Sequence, residues 1–197
     1  MKVSESEIRN ASILIVDDQL SNVELLHALL VDAGYTKIHT TMDPTEVCEL
    51  HRKNSYDLIL LDLQMPVMDG FAVMEALKFN EVDPYLSVLV ITAQPSHKLR
   101  ALQAGAKDFI SKPFDLVEAR TRVRNLLEVR LVYKQLEALN RSLERIVEVR
   151  TAQLRESEAR YRSFTELAAD WYWEQDEHGV FSKVSGPVQE MLGVKNN

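Results

Sequence analysis

Cysteine is almost missing from this 197-residue chain, with Cys48 the only one. A single thiol excludes an internal disulfide framework and a cysteine-only metal cluster, and leaves Cys48 as a small apolar group on a helix. Long hydrophobic runs are missing too. No stretch reaches the about 20 apolar residues of a membrane span, and the N-terminal M-K-V-S-E-S-E-I-R-N lacks an apolar signal core. The expected protein is cytoplasmic, with no membrane contact. Positive charge is in deficit, 23 Lys and Arg against 30 Asp and Glu for a net charge of -7, so no nucleic-acid partner is expected from bulk electrostatics. Between Pro113 and Gly179 there is neither glycine nor proline. That absence removes the usual chain-turning residues from a third of the sequence and marks it as helical.

What is present is an ordinary globular composition, 46% hydrophobic and 27% charged. Residues 1–11 are polar and read as a loosely held end. The stretch Y-D-L-I-L-L-D-L-Q-M-P-V-M-D-G, Tyr56–Gly70, carries an unbroken apolar run, Leu58–Leu61, that ends in Asp62 and a loop. Such a run, without alternation and bounded by turn residues, is what a parallel strand buried on both faces requires. Ile13–Val16 repeats the pattern and ends in Asp17-Asp18; Val88–Ile91 ends at Thr92; Phe109-Ile110 ends in Ser111-Lys112-Pro113. Lys37–Thr41 reads as a further short strand. Helical spacing separates the strands. Ser21-Asn22 reads as a cap before Val23, Leu26, Leu29 and Leu30, closed by Gly34; Asp43-Pro44 opens a helix with Val47 and Leu50; Gly70 precedes Phe71, Met74 and Leu77; and Ser96–Ala104 is closed by Gly105. Alternating strands and helices predict an α/β fold, a doubly wound five-stranded parallel sheet with helices on both faces.

In such a sheet the carboxyl ends of the strands share one edge, where ligands bind. Asp17, Asp18, Asp62, Thr92 and Lys112 would therefore converge although scattered in sequence. Asp62 by itself has two readings, a reactive group or a polar residue that ends a strand. With the other four beside it, the crowded carboxylates need a compensating cation, and hard oxygen ligands without nearby His or Cys favour Mg²⁺ over zinc. Asp62 then has the setting of a phosphorylatable nucleophile, with metal and Lys112 neutralising the phosphoryl oxygens.

Residues of this kind resemble a known family. I-L-I-V-D-D, L-I-L-L-D-L-Q-M-P-V-M-D-G, V-I-T-A and G-A-K-D-F-I-S-K-P-F, spanning roughly 12–130, closely resemble the CheY-like, flavodoxin-like receiver domain of two-component response regulators. The resemblance implies that Asp62 accepts a phosphoryl group from a sensor histidine kinase or phosphotransfer protein. It implies that Asp18 binds Mg²⁺ directly, that Asp17 acts mainly through water, and that the Gln64 backbone carbonyl is a further ligand. Thr92 would bond a phosphoryl oxygen, Lys112 would pair with the phosphoryl group, Lys112-Pro113 would be cis, and Thr92 and Phe109 would form the switch. Phe109 also reads as plain core. Gln64 and Gln94 hold the two positions that tune dephosphorylation in the family; their amides orient water without acting as strong bases, which implies dephosphorylation of intermediate speed.

From Asp115 the composition shifts to Leu, Glu and Arg. Leu136, Leu139, Leu143, Val147, Leu154 and Tyr161 fall near a seven-residue seam, with a register slip at Ile146. Over 115–160, ten Lys and Arg interleave with eight Asp and Glu. A solvated helix folded back on the domain is one reading; a coiled-coil linker forming a homodimer is favoured, because a lone helix would expose its stripe. Arg120, Arg122 and Arg124 read as a phosphate contact or a solvated helix face. After about Ala159, D-W-Y-W-E and the turn Asp176–Gly179 followed by Val180–Val184 give a hairpin, and residues 161–197 are similar to the opening of an α+β PAS domain, too short to be complete. His178 reads as an exposed turn histidine and not a haem ligand.

The expected function is a response regulator that passes phosphorylation at Asp62 through the dimeric helix to a PAS and output module. No output motif, whether of a diguanylate cyclase, a cyclic-di-GMP phosphodiesterase or a histidine kinase, occurs in the sequence. The alternative is a haloacid-dehalogenase-type Mg²⁺-dependent phosphohydrolase, which needs D-x-D after its nucleophile strand where this chain has adjacent Asp17 and Asp18. A dimerisation scaffold with a degenerate receiver is the third reading, and the intact five residues oppose it.

Overall fold

The computed structural model describes residues 3–79, 85–94, 96–168 and 172–185, and the chain divides into two compact units, Met1–Ala138 and Leu139–Asn197.

The first unit contains five parallel strands, β1 (Ser12–Val16), β2 (Lys37–Thr41), β3 (Leu58–Asp62), β4 (Ser87–Thr92) and β5 (Asp108–Ser111), in the order β2-β1-β3-β4-β5. Every residue of β3 and β4 is buried, as unbroken apolar runs dictate for central strands covered on both faces. Side chains alternate across the sheet and divide the core in two. Ile13, Ile15, Leu58, Leu60, Leu89, Ile91 and Ile110 pack under helices α2 (Leu20–Asp32) and α6 (Leu116–Ala168). Leu14, Val16, Ile59, Leu61, Val88 and Val90 face the other way, toward α3 (Val47–Asn54), α4 (Gly70–Phe79) and α5 (His97–Gln103). Strand order reverses between β1 and β3, so the carboxyl ends of these two central strands flank a crevice.

The N-terminal stretch corrects its reading as a loosely held end. Helix α1 (Glu5–Arg9) has a full capping box, in which the Ser4 hydroxyl accepts the Glu7 N–H while the Glu7 carboxylate accepts the Ser4 N–H. Val3, Ile8 and Ala11 are buried in the core against Leu29, Leu30, Val123 and Leu127. Three apolar residues among polar ones give too short a pattern to read, yet each one is covered.

A second correction concerns Ser21-Asn22. Helix α2 starts at Leu20 with Gln19 as an N-cap that makes no side-chain bond, so both residues lie inside the helix. The Asn22 amide is drawn instead to Asp17. The arginine cluster has a definite structural role: Arg120 pairs with Asp32, Arg122 with Asp108 and Glu118, and Arg124 with Glu5. Opposite the site edge, buried Asp57 accepts the Ser12 N–H at 2.9 Å and the Lys134 ammonium, holding α6 against the sheet.

In the second unit α6 continues to Ala168, and β6 (Tyr172–Gln175) pairs antiparallel with β7 (Phe181–Ser185). The Asp176 carboxylate accepts the His178 and Val180 N–H groups, which shapes the turn, and His178 is exposed there. Leu136, Leu139, Leu143, Ile146, Val147, Leu154 and Tyr161 are all exposed, between 44% and 71%, so the helical stripe read from the sequence lies on an exposed face. Residues 169–171 and 186–197 of the PAS-like stretch, including Asp170 and Trp171 of D-W-Y-W-E, lie outside the described residues. Among the described residues no helix is long and apolar enough to cross a membrane.

Candidate phosphoacceptor site

Two strand ends build the floor of the site. Asp17 and Asp18 follow β1, Asp62 closes β3, and each offers a carboxylate oxygen within 4.8 Å of the others. Asp17 and Asp62 are buried and Asp18 is half-buried. Three carboxylates this close need positive charge, and Lys112, from the end of β5, supplies it. Its Nζ lies 2.9 Å from Asp17 Oδ2 and 2.9 Å from Asp62 Oδ1. The Lys112–Pro113 peptide is cis.

One ammonium is shared between Asp62 and Asp17, and both Asp62 and Lys112 are shifted in titration. Burial holds the Asp62 carboxyl above the ordinary aspartate value, and Lys112 only partly offsets it. Burial also disfavours the Lys112 ammonium, but its bonds to Asp62 and Asp17 outweigh that, and its pKa is raised. Asp62 Oδ2 further accepts the Gln64 N–H at 3.0 Å.

The loop after β3 is tightly built. Met68 N–H donates to Pro66 O at 2.8 Å across Val67, whose φ of +70° makes a γ-turn that a β-branched residue adopts only under strain. Gly70 then returns so close that a Cβ there would meet Asp62 O at 2.5 Å and Leu63 Cα at 2.9 Å. A side chain is excluded at Gly70 by backbone on two sides.

Thr92 is fully buried at the end of β4, and its Oγ1 accepts the Gln94 N–H at 3.1 Å. Phe109 is half-buried on β5, with the Lys98 ammonium 5.0 Å and the Arg122 guanidinium 5.9 Å from its ring centroid, so it is core on one side and faces two cations on the other. The site thus gathers Asp17, Asp18, Asp62 and Lys112, with Thr92 on the adjoining strand. Asn22 is the residue that sequence reading misassigned: its amide lies 3.0 Å from both Asp17 oxygens. Its position five residues after Asp17 carries no signal that separates this contact from a helix cap.

Residues 13–124 match the model of the response regulator receiver domain. The chain belongs to that family. The receiver is 40% identical over 129 residues to the response regulator PleD of Caulobacter vibrioides, covering 64% of this chain and 28% of PleD. It is 38% identical over 117 residues to the DNA-binding dual master transcriptional regulator RpaA of a Synechocystis species, covering 58% of this chain and 48% of RpaA. The chain therefore spans only about a quarter to a half of the length of these curated relatives. Among solved structures, the chemotaxis response regulator CheY4 of Vibrio cholerae is similar with a TM-score of 0.53 and 31% identity, over 58% of this chain and 98% of CheY4. The receiver domain of NtrX from Brucella abortus is similar with a TM-score of 0.55 and 27% identity, over 59% of this chain and 98% of that domain. The five-stranded parallel sheet is the receiver fold.

Proposed function

We propose that this receiver accepts a phosphoryl group on Asp62 from the phosphohistidine of a sensor kinase or phosphotransfer protein. The observation that carries the reading is Lys112 bound to Asp62 inside a cluster of three carboxylates. Asp62 attacks phosphorus in line; as its O–P bond forms, the P–N bond of the donor breaks and the electron pair leaves with the imidazole nitrogen. Lys112 stabilises charge on the transferred group, and the Thr92 hydroxyl donates to one of its oxygens.

The residues fit a divalent cation. Asp18 Oδ1 is buried without a hydrogen-bond partner, and the donors are all oxygens. Asp17, Asp18, Asp62 and the Gln64 carbonyl would hold Mg²⁺, with Asp17 acting mainly through water. Bound there, the ion would neutralise phosphoryl oxygens and offset the crowded carboxylates.

Phosphorylation adds about two negative charges at Asp62. Thr92 moves toward them and Phe109 turns inward, reshaping the surface of α5, β5 and the start of α6. Two α6 helices pair along the exposed seam into a coiled-coil homodimer, and the change of register near Ile146 reaches a PAS segment and an output domain. The phosphohydrolase reading is not favoured, because the family match and the adjacent Asp17 and Asp18 both oppose it.

The test is intact mass after incubation with Mg²⁺ and acetyl phosphate, beside Asp62→Asn, with light scattering on both. One added phosphoryl mass in the wild type alone is expected, together with a dimer. An adduct that survives in Asp62→Asn sinks Asp62 as acceptor, and a monomer in both states sinks the coiled coil.

A further inference from the structure

The three carboxylates are not held alike. Asp17 is held by three donors: Oδ1 accepts the Gln19 N–H at 2.9 Å and the Asn22 amide at 3.0 Å, while Oδ2 accepts the same amide at 3.0 Å and Lys112 Nζ at 2.9 Å. Two oxygens offer about four lone-pair sites, and most of them are engaged. Asp18 is the opposite case, with a buried Oδ1 that no donor reaches. Asn22 is what makes the difference on Asp17, since it alone spans both oxygens. It does so from the first turn of α2, where its own N–H is bound to Gln19 O at 3.0 Å and its backbone is therefore fixed.

We propose that Asn22 is a positioning residue of the cation site: it locks the Asp17 carboxylate in one orientation, turned to Lys112, and leaves Asp18 as the carboxylate open to a divalent ion. This rests on the reading of the site as a Mg²⁺-dependent phosphoacceptor. Donors that orient a carboxylate at a metal site act through its geometry, and losing one weakens metal binding by about 10-fold or more. Without Asn22, Asp17 keeps only Gln19 and Lys112 and is free to swing toward Asp18 and Asp62, so like charges crowd the site before any ion arrives.

The test is calorimetric titration of Mg²⁺ into the full chain as wild type, Asn22→Leu, Asn22→Ser and Asp18→Asn, with thermal melting in EDTA to follow folding. Leucine keeps the branched shape and heavy-atom count of asparagine, with somewhat more bulk, but has no donor; serine loses volume and keeps one donor. A positioning role by donation predicts Mg²⁺ affinity in the order wild type, Asn22→Ser, Asn22→Leu, with Asn22→Leu about 10-fold below wild type. A packing role reverses the last two. Equal affinities in all three, the reversed order, or tighter binding by Asn22→Leu overturns the proposal while leaving the site itself standing, because Asp18→Asn still abolishes binding. Wild type that binds no Mg²⁺, or Asp18→Asn that binds as wild type does, overturns the reading of the site and the role of Asn22 with it.

Discussion

Glu5 and Arg124 stand 119 residues apart in sequence, and their side chains meet at 2.8 Å. Glu7 reaches Gln135 at 3.2 Å in the same way. Helix α1 thus lies along α6 and ties down the part of that helix by which the receiver is left. The tie is mostly apolar, since exposed ion pairs contribute only about 0–1 kcal/mol, whereas Ile8 is 3% exposed in the core. Ile8→Ala is expected to lower stability by about 2–4 kcal/mol and Glu5→Ala by less than about 1 kcal/mol in urea unfolding followed by circular dichroism. The reverse ranking would show that charge, not burial, holds the N-terminal helix.

Lys112 is the one cation bonded to Asp62 among the described residues. Lys112→Met keeps most of the length and removes the charge. Phosphoryl uptake from acetyl phosphate, followed by intact mass against time, is expected to slow by about 100-fold or more. An unchanged rate would mean that Lys112 only balances the carboxylates at rest.

Asp62 gives the site a pH dependence whose sign follows from burial. Its folded pKa is raised, so the folded chain binds this proton more readily than the unfolded chain. The stability it contributes is complete below the ordinary aspartate value of 3.8 and is lost as the pH rises through the raised folded value. Asp62→Asn removes that loss. In EDTA the variant is expected to be more stable than wild type at neutral pH, with the gap closing as the pH falls, by urea denaturation at a series of pH values. Lys112 runs the other way: its contribution is complete below 10.5 and is lost only as the pH rises through its raised folded value. A gap between Asp62→Asn and wild type that widens toward acid would contradict the assignment.

Gly70 has backbone on two sides, with Asp62 O 2.5 Å from where a Cβ would stand. Gly70→Ala must push the loop away from Asp62. The expected cost is about 1–3 kcal/mol of stability, together with slower phosphoryl uptake, since small misplacements of a reacting group are expensive. Uptake at the wild-type rate in a destabilised variant would show that the loop moves without moving Asp62.

Much of this protein is legible in its residues taken in order. The apolar runs ending in Asp17-Asp18, Asp62, Thr92 and Lys112 predict the strands and the edge they share, because a strand buried on both faces has no polar alternation to confuse its reading. Lack of glycine and proline between Pro113 and Gly179 likewise predicts the 53-residue α6, since helix formation is a local matter. Other features were settled only by the tertiary structure. Asn22 reads as a cap until Asp17 is seen to take its amide; Glu5 and Glu7 read as a solvated end until α6 lies beside them; Arg120, Arg122 and Arg124 read as one patch until each is found with its own carboxylate. The physical reason is the same in each case. Backbone propensity and hydrophobic period are written in neighbouring residues, while the partner of a polar side chain is chosen by whatever the packed core brings within about 3 Å.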